Sequence, residues 1–187
     1  MKKLVIKTVA LSLAIILAVL ALVVLLVSSL SPITVANAYF RLGNTEMAVK
    51  YTEKNYIKTQ SLTDLALLVE RGILAEDNEI VVKYSPNLLF DSKFEELAQQ
   101  KSGDYTNYIV NGYVVSLYNV SDIEKSIAIA FQYVDANFTL PNPVTKLIYK
   151  ASSKNDVTTL NKVLAVLETL PQNDNIETVI NAVKSFI

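Results

Sequence analysis

The carboxylates that could do chemistry stand in two groups, Glu76-Asp77-Asn78-Glu79 and Glu95-Glu96. A two-carboxylate hydrolase needs such groups to converge across a cleft. Asp77, Asn78 and Glu79 could offer oxygens to calcium, but the twelve-residue EF-hand spacing is missing. Helix caps and solvated helix faces account for both groups more simply. The sequence has no His and no Cys, which removes disulfides, thiolate nucleophiles, Cys/His zinc or haem sites and the commonest general base. Its four glycines, at 43, 72, 103 and 112, are too scattered for a phosphate loop, a nucleophile elbow or a dinucleotide fingerprint. The expectation is therefore a chain with no catalytic residue, no metal and no cofactor, acting by binding and not as an enzyme.

Any binding surface must be carried by helices. Gly and Pro together make up only nine of 187 residues, which disfavours a turn-rich β-sandwich or barrel. Hydrophobic residues reach 51% with a mean hydropathy of +0.33, but they are unevenly spread. After Lys2, Lys3 and Lys7, residues 8–30 contain only Thr8, Ser12, Ser28 and Ser29 as polar positions. At 1.5 Å per residue this run reaches about 34 Å, enough for a hydrocarbon core of about 30 Å. It has no polar face, so a transmembrane helix is expected over residues 8–30. Ala36-Asn37-Ala38 offers the competing reading, a cleaved signal, although the apolar run is longer than an ordinary signal core. The lysines before the span predict a cytoplasmic basic stub with residues 31–187 outside the cytoplasm. That exterior part holds 14 basic and 18 acidic residues with no basic patch, so nucleic acid is not an expected partner.

Beyond Pro32 the apolar residues recur with a period near 3.6. Val110, Tyr113, Val114 and Leu117 share a face, as do Ile123, Ile127, Ala130, Phe131 and Val134. So do Val144, Leu147, Ile148 and Ala151, then Leu160, Val163, Leu164 and Leu167, then Ile176, Val179, Ile180 and Val183. Ser92-Lys93-Phe94-Glu95 and Ser121-Asp122-Ile123-Glu124 match the capping box, Asn44 and Asn155 are candidate N-caps, and Ser85-Pro86 and Leu170-Pro171 predict helix stops. An irregular all-α domain of eight or nine helices would have the same periodicity.

The segments also pair. In Ala38-Tyr39-Phe40-Arg41-Leu42-Gly43-Asn44-Thr45-Glu46-Met47-Ala48, a tyrosine comes late in one helix, Gly-Asn forms the turn, and a small residue comes early in the next. This stretch resembles the centre of a tetratricopeptide repeat. Asn44, Asn78, Asp122 and Asp156 mark corresponding turns, at spacings of 34, 44 and 34 residues, with about ten extra residues around 86–102. Ala48 then corresponds to Val82, Ser126 and Leu160. No unit carries the family's Trp or the Leu-Gly of its first helix, and Pro171 lies one residue from the usual closing proline. The resemblance implies an all-α fold: the N-terminal membrane helix, then about four antiparallel helical hairpins stacked as an α-solenoid, and a capping helix over residues 172–187.

The same resemblance implies a concave groove lined by first helices. It brings Asn37, Arg41, Arg71, Tyr108, Asn111, Tyr118, Asn119, Lys146 and Tyr149 toward that surface. Aromatic anchors beside amides and bases suit a peptide. The family's clamp for a C-terminal carboxylate needs more bases, and Ile33 occupies one expected lysine position. Tyr39, Tyr51, Tyr113 and Tyr133 are expected half-buried between helices. The functional expectation is a single-pass membrane protein whose exterior repeats bind a protein or peptide partner as a scaffold or assembly factor. The alternative is an accessory subunit of a membrane transport or envelope complex, packing through Ala10, Ala14, Ala18 and Ala21. Because its first helix begins near Pro32, the exterior domain is expected close to the membrane, joined by a short kink.

Overall fold

The computed structural model describes residues 2–101 and 103–187, with side chains for 9–26, 31–101 and 103–187. The side chains of Lys2, Lys3 and Lys7, on which the expected orientation rests, lie outside the described residues, as does Ser102 at the end of the extra stretch. Among the described residues there are eleven helices and no strand. They are α1 (Lys2–Leu30), α2 (Pro32–Arg41), α3 (Thr45–Thr59), α4 (Leu62–Leu74), α5 (Asn78–Leu89), α6 (Phe94–Lys101), α7 (Tyr105–Asn119), α8 (Ile123–Gln132), α9 (Pro143–Ser153), α10 (Val157–Leu167) and α11 (Asp174–Phe186). The chain divides into two compact units, Met1–Asp64 and Leu65–Ile187.

In the first unit, α1 contains an apolar window, Val9–Leu26, of mean hydropathy 3.3 with none of it buried by the protein. That helix is long and apolar enough to cross a membrane, and near an N-terminus the same window would also serve as a signal sequence. One residue, Ser31, separates it from α2, which starts on Pro32, where a missing N–H costs nothing. α2 packs on both α1 and α3. Its buried Val35 and Ala36 and the stacked rings of Tyr39 and Tyr51, 5.7 Å apart, hold it in place. At the start of α4, Ser61 and Asp64 cap each other. The Asp64 amide donates to Ser61 Oγ at 3.1 Å, and that hydroxyl donates to Asp64 Oδ2 at 2.8 Å.

In the second unit α7 is central and packs against α5, α6, α8 and α9. Its Val110, Tyr113, Val114 and Leu117 are all buried, the face expected from their spacing, and Ile109 is buried beside them. The faces of α9 and α11 are buried as the periodicity required. On α8 and α10, Ile127, Ala130, Leu160, Val163 and Leu167 are buried, while Ile123, Phe131 and Leu164 are half-buried; Val134, expected on the same helical face, is half-buried beyond the end of α8. The extra stretch contains α6, anchored where Glu70 Oε1 accepts from Lys101 Nζ at 3.0 Å and from the Tyr105 hydroxyl at 2.7 Å. Burial, with that hydrogen bond to Glu70, holds the Tyr105 phenol well above its ordinary pKa.

One turn recurs four times. At Gly43, Glu76, Ser121 and Asn155 the backbone enters the left-handed region, with φ of 75°, 53°, 67° and 53°. The next residue, Asn44, Asp77, Asp122 or Asp156, is the N-cap of the following helix, with φ of −79° to −88° and ψ of 66° to 83°. Its amide donates back to the carbonyl of Tyr39, Gly72, Leu117 or Ala151 at 2.9–3.0 Å. These are the six-to-one bonds of a Schellman close. Four residues past each cap sit Ala48, Val81, Ser126 and Leu160, every one of them 0% exposed.

That geometry corrects several expectations. Asp77 is the second cap, one residue before Asn78, so Val81 rather than Val82 corresponds to Ala48. Asn155 is not a cap but the left-handed residue before one. The match at Ser121 does not form a capping box, because Ser121 itself takes the left-handed conformation. At α6 the helix starts at Phe94, and Asp91 Oδ1 accepts from the Lys93 amide ahead of it. Pro86 does not stop α5, which runs on to Leu89. The ring removes only the N–H that would have bonded the Val82 carbonyl, while Pro86 itself accepts from the Phe90 amide at 3.0 Å.

Tyr113 is 1% exposed rather than half-buried, and its hydroxyl has no hydrogen-bond partner. Tyr113→Phe is therefore expected to raise the unfolding free energy by about 1 kcal/mol, by deleting an unsatisfied buried group. Thermal unfolding of the full chain in detergent, followed by circular dichroism, measures this, and a lowered midpoint would contradict it.

Candidate functional site

Helices α4, α5, α7 and α9 of the second unit frame a groove of about 320 Å³. Its floor is one face of α7, where Tyr108, Asn111, Gly112, Val115, Ser116 and Asn119 recur at helical spacing. Ile73 in the last turn of α4, Glu76 in the turn after it and Asn78 at the start of α5 make one wall. Lys146 and Lys150, one turn apart on α9, make the other. The close approach at Ile73 depends on Gly112, since a Cβ there would lie 2.5 Å from Ile73 Cγ1.

Amide hydrogen bonds fix one end of the groove. Asn119 Nδ2 donates to Asn78 Oδ1 at 3.1 Å, and Asn119 Oδ1 accepts from Lys154 Nζ at 3.3 Å. Deeper in, Asn111 Oδ1 is buried with no partner. None of the ion pairs Lys101–Glu70, Lys162–Glu124 and Lys184–Glu168 engages Lys146 or Lys150. The groove thus offers two lysines, the Glu76 carboxylate, amides and Tyr108, a residue 38% exposed.

Of the residues expected to line a groove, Tyr108, Asn111, Asn119 and Lys146 come together here. Tyr149 is 69% exposed on α9 and does not line it. Tyr118 and Arg71 are corrections, because both are buried. The Tyr118 hydroxyl donates to Asp156 Oδ2 at 3.0 Å, and Lys154 Nζ lies 5.0 Å from the centre of its ring. Burial, reinforced by Asp156, pushes that phenol up to about 12. Arg71 lies in α4, where desolvation lowers its pKa against the opposing charge of Glu70. Asn37 and Arg41 are exposed on α2 in the first unit. Sequence reasoning missed Lys150, which stands one helical turn beyond Lys146 and could have been found by that spacing. It also missed Ile73 and Glu76, which belong to the far wall.

The acidic groups have structural roles or face water. Asp77 Oδ1 accepts from the Ile80 amide at 3.1 Å, Glu95 accepts from Gln99 at 3.3 Å, and Glu79 and Glu96 are exposed. Among the described residues no three Asp or Glu side chains gather as a metal site would require. No protein-family model, curated protein or solved structure matches the chain.

Proposed function

We propose that this chain is a single-pass membrane protein whose residues 31–187 form a tetratricopeptide-like helical-repeat domain outside the cytoplasm, acting as a scaffold or assembly factor for a protein partner. The repeated turn supports the repeat reading. Caps at 44, 77, 122 and 156 share one backbone geometry, and of the three intervals one, 34 residues, equals the family's period and another, 33, falls one residue short. The long interval accommodates α6. A retained anchor is supported by the apolar run of α1, which is longer than an ordinary signal core.

The observation that carries the binding role is the groove, where Tyr108, Asn111, Lys146 and Lys150 converge without forming a reactive constellation. A segment of partner chain laid there would stack on Tyr108 and place acceptors against the two lysines. A photoreactive residue introduced at Tyr108 or Lys146 of the full chain, in cells, tests it. Both positions are expected to yield the same discrete adduct, and exposed Asn161 on α10 none. Equal labelling at all three would dismiss the groove. Replacing α1 by an unrelated span should preserve the adduct, whereas its loss would favour the accessory-subunit alternative.

A further inference from the structure

α2 folds back along α1. A second groove, of about 340 Å³, lies between them, lined by Val23 and Val24 of α1 and by Thr34, Val35, Ala38, Tyr39 and Leu42 on and just past α2. Those five positions form a single stripe along α2. Val23 and Val24 belong to the apolar window of α1. They lie about six to seven residues before the end of that helix, or about 10 Å along its axis. Whatever surrounds Val23 and Val24 therefore also meets Ala38 and Leu42.

Leu42 is 80% exposed, more than the large apolar residues of the span in α1, which range from 49% to 64%. A lone exposed leucine would need no explanation. This one continues an apolar surface that begins on the candidate span. The charges agree, since between Lys7 and Glu46 the sequence has one charged residue, Arg41, and no acid to repel phosphate headgroups. Tyr39 adds an aromatic ring of the kind enriched where membrane meets water.

We propose that the face of α2 bearing Ala38 and Leu42 is a lipid-contacting surface, with acyl chains of the outer leaflet filling the groove between α1 and α2. This rests on α1 crossing a membrane. The first unit is then seated in the interface as well as tethered to it, with α2 immersed about 5–10 Å at the boundary of headgroups and chains.

The chain has no Trp, so a single introduced indole reports without background. The full chain is reconstituted in phosphatidylcholine vesicles with and without brominated acyl chains, carrying Leu42→Trp, Leu17→Trp or Phe90→Trp. Leu17 lies in the span, and Phe90 is 64% exposed in the second unit. Expected are blue-shifted emission from L42W and L17W, each losing about half or more of its intensity in brominated lipid, and unquenched, water-like emission from F90W. Water-like, unquenched L42W beside quenched L17W overturns the proposal while leaving the span intact. Blue-shifted but unquenched L42W overturns it in favour of a protein occupant. Unquenched L17W overturns the spanning of α1, and the proposal falls with it. Equal quenching of F90W would show unspecific adsorption and count against it.

Discussion

Asp156→Ala is expected to lower the unfolding free energy by about 2–4 kcal/mol, while Asp122→Ala at the equivalent turn costs about 0.5 kcal/mol. The two residues share a backbone conformation and differ in what their carboxylates hold. Asp156 Oδ1 accepts from the Thr159 amide at 3.0 Å, and Oδ2 accepts from the Thr159 hydroxyl at 2.7 Å and from Tyr118 at 3.0 Å. Asp122 makes no side-chain cap bond. Removing Asp156 therefore deletes a cap and strands the part-buried Tyr118 hydroxyl, which joins α10 to α7 across 38 residues of sequence. Denaturant unfolding of the full chain in detergent gives both values, and equal losses at the two turns would refute this account.

The same site sets an acid dependence. The hydrogen bonds of Thr159, first among the causes, hold the Asp156 carboxyl below its ordinary pKa. Its contribution is then complete above the unfolded carboxyl value of about 3.9 and is lost as pH falls through the lower folded value. Asp156→Asn should unfold with a shallower loss of stability below about pH 4. Tyr118 works in the opposite sense. Its raised value contributes fully below about 10 and is lost as pH rises through about 12. Tyr118→Phe should flatten the alkaline arm and leave the acid arm largely in place.

Helix identity and core faces were legible because burial imposes a 3.6-residue period on the apolar positions themselves. The caps were legible only to within a residue. Asp77 and Asn78 are equally good cap types, and the choice between them turns on which neighbour accepts φ near +53°. That residue is Glu76, a position at which sequence gives little hint, since glycine is the usual occupant. Ser121 shows the same failure in reverse, its pattern matching a capping box while its backbone closes the previous helix. At the groove, Tyr118 and Asn119 are adjacent on α7 and so point about 100° apart, one into the core and one to the groove. Which goes inward is decided by Asp156, far along the chain. Arg71 was misplaced for a related reason, because a long basic side chain reads as surface until its neighbours are known.

Gly112→Val is expected to cost about 2–3 kcal/mol and to be restored largely by Ile73→Ala in the double variant. In an exposed helix a glycine at this position would be a defect, worth about 1 kcal/mol less than alanine. The geometry reverses that sign. A Cβ on residue 112 would overlap Ile73 Cδ1, lie 2.5 Å from Cγ1 and 3.3 Å from Cγ2. Rotating Ile73 gives little relief, because a β-branched residue in a helix has one strongly preferred rotamer and turning it exchanges one methyl-bearing branch for another. The strain therefore passes to the separation of α4 and α7, the two helices that set the groove's floor and one wall. Unfolding measurements on the single and double variants separate this from simple loss of propensity, since Ile73→Ala would not rescue a propensity effect. Photo-crosslinking from Lys146 should weaken in Gly112→Val and recover in the double variant, because the width between α4 and α7 decides whether a partner segment can enter.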